Sequence, residues 1–398
     1  MDQTLNEKYQ EELKKMDEKD YGKKFEEEFA KIRNNVKKPN ILLAGATGVG
    51  KSTLVNMIFG KEVAIVGTGN PVTQEIDVYE SDDVDVRIFD SKGYELGDEA
   101  DKEFYQTVVG LAQATRNPMN TIHLIWYCIQ CPGGRVTDYD LAAINAFHEA
   151  RLPVAIVFTK SDICTEEELN KLKQQLPAWT NDQMFETSDR SPNLDHSADL
   201  VTWSILQLPE ALRDALIKSQ KNNPEEKWKR AHIIIAQHAA AAFGTGFIPI
   251  PGSDAPILVA NEIALMARVM YLYDLGSLSD MLKTAGLSAI IGPLLTTGGK
   301  SLASSFLKLL PVVGWVAGGL ISGAVGATVT FAFGEATSAV SYGICKAKWD
   351  GDDEQVNDLI EHFGKYVLDL AKQFLLQGKT KKDDYKKPDA GWFKKKNK

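Results

Sequence analysis

The apolar run Ile41-Leu42-Leu43-Ala44 leads directly into Gly45-Ala46-Thr47-Gly48-Val49-Gly50-Lys51-Ser52, and Thr53-Leu54 then opens a helical pattern. A strand, a glycine-rich loop and a helix in this order constrain the fold more than any other feature of the chain. Gly45 and Gly50 permit a tight backbone path, so that the N–H groups from Gly45 to Thr53 surround a phosphate at a helix N-terminus. Lys51 adds a mobile cation for β- and γ-phosphates, and Ser52 offers a hydroxyl to Mg²⁺. The bare pattern arises by chance; the flanking strand and helix give it meaning.

With 398 residues the chain is long enough for two or three cores. Residues 1–38 are rich in Lys and Glu. Leu5, Tyr9, Leu13 and Met16, then Tyr21, Phe25, Phe29, Ile32 and Val36, recur at helical spacing, which predicts two amphipathic helices broken near Gly22. Their apolar stripe suits packing on the rest of the protein, and the same stripe suits a partner or a membrane. Over residues 39–221, β-like runs (Ile41–Ala44, Ile76–Glu80, Val84–Phe89, Thr121–Ile129, Pro153–Thr159) alternate with helical ones and end in a helix over Leu200–Ser219. Such alternation predicts an α/β domain with a mainly parallel sheet and helices on both faces. Gln220–Pro224 reads as a linker.

Residues 225–376 change character and read as an all-α domain rich in Gly, Ala and Leu. Helices are expected over Glu225–Phe243 and Ile257–Leu275, separated by a Gly- and Pro-rich segment that excludes a continuous helix. No formal charge falls between Leu310 and Gly334. That stretch suits a buried helical hairpin in a bundle, and its length and small-residue faces equally suit insertion into a membrane. Val356–Leu376 reads as one amphipathic helix. The tail, residues 377–398, holds nine Lys and three Asp with Trp392-Phe393 among them, a pattern of a solvated tail or of an anionic membrane contact.

A net charge of −9 and a pI near 5.4 exclude nucleic-acid binding through the whole surface, and no specific nucleic-acid partner is expected. The four cysteines are scattered and no secretory pattern opens the sequence, so a reducing, cytoplasmic setting without disulfides is expected. Cys128-Ile129-Gln130-Cys131 lacks a second pair at zinc spacing and reads as buried small apolar side chains. Neither a His-Glu-x-x-His motif nor a Ser/His/Asp signature is present.

Four further stations narrow the phosphate site to a nucleotide. Thr73 lies in a turn-rich loop after the P-loop helix, where its hydroxyl can reach Mg²⁺ and a γ-phosphate. Asp90-Ser91-Lys92-Gly93 closes a strand and sets a carboxylate at the metal and a glycine N–H at the γ-phosphate. Thr159-Lys160-Ser161-Asp162 follows the apolar strand Val154–Phe158. A carboxylate at Asp162 accepts from N1–H and N2–H₂ of guanine, a donor pair adenine lacks, and the Lys160 stem can lie over the ring. Thr187-Ser188 follows Met184-Phe185, where a backbone N–H can meet guanine O6.

Taken in order, GATGVGKS, the Thr73 loop, DSKG, TKSD and ETS make residues 39–220 resemble the Ras-like P-loop GTPases, nearest to the Era-like, 50S ribosome-binding GTPase type. The trailing Phe247-Ile248-Pro249-Ile250-Pro251-Gly252-Ser253-Asp254 helical region looks like an uncharacterised bacterial-type GTPase family. The layout, with helices on both sides of the G domain, is similar to the immunity-related GTPases. The resemblance implies GTP and GDP as ligands, Ser52, Thr73 and Asp90 at Mg²⁺, and Lys51, Thr73 and Gly93 around the reacting phosphate. It places Thr159, Lys160, Asp162, Thr187 and Ser188 at the base. Where relatives carry a water-orienting Gln after the D-x-x-G glycine, this chain has Tyr94, so slow turnover is expected. Gly48 stands where potassium-dependent relatives carry Asn, so potassium stimulation is not expected. Gln74, Glu95 or a residue from a second molecule is left to position water, and Arg135 is a surface Arg or an arginine finger.

These readings combine into a slow, Mg²⁺-dependent GTPase switch controlling a helical domain that associates with membranes. The other reading is a nucleotide-regulated membrane-binding or self-assembling module in which hydrolysis is incidental. Expected partners are GTP, a second copy in a homodimer or nucleotide-dependent oligomer, and an anionic surface at the cytoplasmic face of a membrane.

Overall fold

The computed structural model describes residues 18–60, 70–71, 76–81, 84–91, 121–245, 255–276 and 318–377. The chain divides into two compact units: Val36–Asn223, and a helical unit that joins Glu18–Asn35 to the residues from Pro224 on.

Among the described residues the first unit is built on seven strands: β1 (Asn40–Ala44), β2 (Asn70–Pro71), β3 (Ile76–Tyr79), β4 (Arg87–Ser91), β5 (Leu124–Gln130), β6 (Val154–Thr159) and β7 (Met184–Glu186), in the order β2-β3-β4-β1-β5-β6-β7. β1 pairs in parallel with β4 and β5, and β6 in parallel with β5 and β7, whereas β3 runs antiparallel to both β4 and β2. The sheet is therefore mostly parallel, and its antiparallel edge includes β2 inside what reads in sequence as a turn-rich loop. Every residue of β1 and β6 is buried. That is why these strands read as continuous apolar runs rather than as alternation: helices cover both faces. One of those layers packs Leu42, Phe89, Ile125, Tyr127, Ile156 and Phe158 against α3 (Asp138–Glu149) through Ala143, Ile144 and Phe147.

Among the described residues the unit's other helices are α2 (Lys51–Phe59), α4 (Glu166–Gln175), α5 (Ser197–Gln207) and α6 (Glu210–Ser219). The single helix expected over Leu200–Ser219 is thus two. Pro209 has no N–H to continue the ladder and disfavours a helical conformation at Leu208, so α5 ends there. Both α3 and α4 start with reciprocal caps, Thr137 with Asp140 and Thr165 with Glu168.

In the helical unit, α1 (Glu18–Asn35) runs straight through Gly22, so the expected break there does not occur. A helical glycine costs only about 1 kcal/mol, less than full burial of Phe25 and the edge-on contact of Phe29 with Tyr271 return. The helix expected before it lies outside the described residues. α7 (Pro224–Thr245), α8 (Ala255–Leu272) and the long α9 (Gly318–Asp350) pack together, followed by α10 (Asp353–Glu361) and α11 (Phe363–Gln377). The helix expected over Val356–Leu376 is again two, turning at His362 beside Gly364, whose missing Cβ weakens helix continuity. Within α9, a Cβ on Gly334 would lie 2.8 Å from Ile235 and 3.0 Å from Leu265, so glycine here permits close three-helix packing. The described part of the uncharged stretch, from Gly318, belongs to this bundle. Among the described residues no helix is long and apolar enough to cross a membrane. Residues 310–317 and the lysine tail lie outside them.

Candidate functional site

The phosphate end grows out of β1. Gly45, Gly48 and Gly50 have φ of 128°, 77° and 106°, a path that L-residues rarely follow. A Cβ at Gly45 would also stand 2.2 Å from the Cys128 carbonyl oxygen, so the loop passes against β5 with no room for a side chain. α2 begins at Lys51 with no side-chain cap and no acidic residue in its first turn. Its first N–H groups therefore keep their donor capacity at the positive end of the helix dipole. Leu54, Val55, Ile58 and Phe59 anchor the helix, with Phe59 stacked on Trp126.

Lys51 is buried, and its ammonium donates to the Gly45 carbonyl at 3.0 Å and the Ala46 carbonyl at 3.2 Å, spanning the mouth of the loop. Ser52 and Thr53 are exposed on the first turn. Asp90 pairs with Leu43 in the β1–β4 register, which brings its carboxylate to the same end of the sheet as the loop. Both charges act on Cys128, where Lys51 draws the thiol's pKa down and Asp90 pushes it up. Burial outweighs both and raises it to about 12. A glycine cradle, uncapped helix donors and a buried ammonium fit a polyphosphate. Among the described residues no cluster of three His, Cys, Asp or Glu could hold a metal; the Ser52 hydroxyl and the Asp90 carboxylate are oxygen donors of the kind that suits Mg²⁺. Thr73, Gly93, Tyr94, Gln74 and Glu95 lie outside the described residues.

The base end grows out of β6 and β7. Thr159 is buried and its hydroxyl donates to the Val49 carbonyl. Lys160 adopts a left-handed conformation (φ 58°, ψ 39°), which turns the chain sharply into the short Ser161–Ile163 helix. Its ammonium donates to the Gly48 carbonyl at 3.2 Å and the Gln130 Oε1 at 2.7 Å. The Ser161 N–H donates to the Thr187 carbonyl at 3.1 Å, which fastens this loop to the end of β7. The Ser188 hydroxyl donates to Asp162 Oδ1 at 2.9 Å and accepts the N–H groups of Arg190 at 3.1 Å and Ser191 at 3.0 Å. Thr187 spends its own N–H on the Phe158 carbonyl at 2.8 Å. Thr53, Met57, Thr159, Lys160, Asp162 and Thr187 line a cavity of about 190 Å³ between α2 and these loops.

The structure thus brings Gly45–Thr53, Asp90, Thr159, Lys160, Asp162, Thr187 and Ser188 to the carboxyl ends of the central strands, where ligands of open α/β sheets sit. Arg135 is exposed in the turn after β5. Two features escape the sequence reading. Gln130 holds Lys160, although nothing but its place at the end of an apolar strand marks it. Cys131 is joined to Cys164 in a disulfide across 33 residues, with Cα atoms 5.7 Å apart, which corrects the expectation of no disulfides. Of the two cysteines read as buried small apolar side chains, Cys131 is thus a bridged one. Parallel pairing of β5 with β6 carries Cys131 to the loop that follows β6, while Cys128 stays a buried thiol.

Residues 40–160 match the family described as 50S ribosome-binding GTPase. The chain is 24% identical over 148 residues to GTPase Era of Leuconostoc citreum, covering 35% of this chain and 46% of that protein. It is 29% identical over 133 residues to the probable GTP-binding protein EngB of Oleidesulfovibrio alaskensis, covering 33% of this chain and 59% of that one. The chain thus spans less than two thirds of either relative. A solved structure of a probable GTP-binding protein EngB aligns with 42% of this chain and 99% of its own at 17% identity, with a TM-score of 0.31; the fold assignment rests on the sheet topology instead.

Proposed function

We propose that this chain, which carries a domain of the 50S ribosome-binding GTPase family over residues 40–160, binds GTP and GDP with Mg²⁺ and hydrolyses GTP slowly as a switch acting on its helical unit. The observation that carries the reading is Asp162, whose Oδ1 is held by the Ser188 hydroxyl over a cavity that ends at the P-loop helix. A fixed carboxylate presents two acceptors to the N1–H and N2–H₂ edge of guanine, and adenine offers no matching donors. The loop N–H groups and Lys51 bind the phosphates and stabilise charge that develops on the transferred phosphoryl group. When bound through Ser52 and Asp90, Mg²⁺ would neutralise charge on the β- and γ-oxygens. Thr73 and Gly93 complete the set in this proposal, and Tyr94 in place of a water-orienting Gln makes turnover slow.

The proposed setting is cytoplasmic. The lysine tail with Trp392 and Phe393 supports contact with an anionic membrane face, and self-association is the proposed source of a water-positioning residue. Phosphate release from GTP, followed against protein concentration with and without anionic liposomes, tests these together. The reading expects slow Mg²⁺-dependent turnover with GTP, none with ATP, and its loss in Lys51→Ala. Equal binding of ATP and GTP refutes the base assignment.

A further inference from the structure

The Cys131–Cys164 bridge encloses the strand and loop that carry base recognition. Cys131 directly follows Gln130, which accepts from Lys160, and its N–H donates to the Thr159 carbonyl at 3.0 Å. The turn after it is tight: the Gly134 N–H returns to the Cys131 carbonyl at 3.2 Å, and a Cβ on Gly134 would collide with the Gln130 carbonyl at 1.8 Å. Cys131 is therefore a rigid anchor. Cys164 lies two residues after Asp162, between exposed Ile163 and the Thr165 cap of α4. Without a covalent tie, the loop from Lys160 to Cys164 is held to its surroundings by hydrogen bonds of Lys160, Ser161 and Asp162.

We propose that Cys131 and Cys164 are a thiol–disulfide site that clamps the base-recognition loop to the end of β5, so that its oxidation state sets how tightly guanine nucleotide is retained. This rests on the assignment of Lys160 and Asp162 to guanine. The oxidant is a small-molecule disulfide. The Cys164 thiolate attacks one of its sulfurs and releases one small thiolate, which takes up the proton lost by Cys164. The Cys131 thiolate then attacks Cys164 Sγ, forming the bridge and releasing the second small thiolate, which takes up the proton lost by Cys131. Two electrons pass from the cysteine pair to the small disulfide, and excess dithiol reverses both steps. The other two thiols stand apart from this exchange: Cys128 is fully buried with its pKa raised to about 12, and burial raises that of Cys345 in the helical unit.

The half-buried position of Cys164 gives a small thiol access to its sulfur, whereas Cys131 is 1% exposed. The bridge takes freedom from the loop that carries Lys160 and Asp162, and the ordering of one or two side chains corresponds to a change on the order of tenfold. The test uses the full chain loaded with fluorescent GDP, equilibrated either with oxidised glutathione or with dithiothreitol. Thiols are counted after denaturation and nucleotide release is followed on chase with unlabelled GDP. The proposal expects two free thiols and release about tenfold slower in the oxidised protein, and four thiols and fast release in the reduced one. Cys164→Ser is expected to release GDP like the reduced parent under both conditions. Four thiols after oxidation, or equal release rates in the two states of the parent, overturn the clamp. Equal affinity for GDP and ADP in the reduced protein overturns the guanine assignment instead, so the two failures are distinct.

Discussion

Replacing Asp162 by Asn changes one atom of the base site and leaves its frame standing. The Ser188 hydroxyl still donates to Oδ1, the contact now made at 2.9 Å, and the turn over Ser161–Ile163 needs no adjustment. What changes is the edge offered to the base. Asp162 presents two acceptors and a negative charge; Asn keeps one acceptor and turns a donor toward guanine N2–H₂. One charge-assisted hydrogen bond, about 1.5–3 kcal/mol, is lost, and a donor facing a donor adds about 1–3 kcal/mol for the unsatisfied groups. The sum of about 2.5–6 kcal/mol predicts GDP affinity lower by roughly 10² to 10⁴. Xanthine carries a carbonyl at C2 in place of the amino group, so the substituted amide pairs with it fully, and xanthosine diphosphate is expected to bind the variant within about tenfold of GDP on the parent. Competition against a fluorescent guanine nucleotide measures both. GDP binding within threefold of the parent, or no gain for xanthosine diphosphate, refutes the placement of Asp162 at the base.

Gly45→Ala forces a Cβ to 2.2 Å from the Cys128 carbonyl at φ 128°, so a loss of at least about 3 kcal/mol in urea unfolding is expected together with loss of GDP binding. Lys218→Met breaks the buried pair between Lys218 and Asp85 at 2.8 Å and is expected to cost about 3 kcal/mol, most of it recovered in the double variant Lys218→Met with Asp85→Asn, as a double-mutant cycle would show. Glu262, buried and accepting from the Thr330 hydroxyl, has its pKa raised by burial from 4.5 to about 7. Between those values the unfolded chain has lost a proton the folded one keeps, so stability is expected to fall by about 3 kcal/mol as pH rises from 4.5 to 7 and to stay level above; thermal melts of Glu262→Gln should lack that fall.

How much was legible followed from how local the cause was. The P-loop, the TKSD loop and the last strand before Thr187 announce themselves because each is an apolar run ending in residues with special backbone or donor requirements. Pro209 marks the break between α5 and α6 equally locally, but the helical periodicity on either side outweighs it in a reading from pattern. Gly22 misleads in the opposite direction: its local preference is overruled by Phe25 and Phe29, whose partners are distant in sequence. The Cys131–Cys164 bridge and the Gln130–Lys160 contact depend on which strands are neighbours, and that follows from sheet order rather than from spacing. In the helical unit, Gly334 and the buried Thr330 on α9 explain why the sequence suited both bundle and membrane: small and weakly polar residues let helices approach closely in either solvent.

Two contacts join the ends of the site and bear on how it can act as a switch. The Lys160 ammonium donates to the carbonyl of Gly48, and the Thr159 hydroxyl to that of Val49. The loop assigned to the base therefore grips the loop assigned to phosphate through its carbonyls. A shift of the base loop moves those peptide planes, and with them the donors around the phosphate. Base recognition and phosphate affinity are then one coupled property, and loosening Lys160 by Gln130→Ala is expected to weaken inorganic diphosphate as well as GDP. Isothermal titration of diphosphate into the parent and the variant measures this. Unchanged diphosphate affinity beside weakened GDP would show that the two loops act independently.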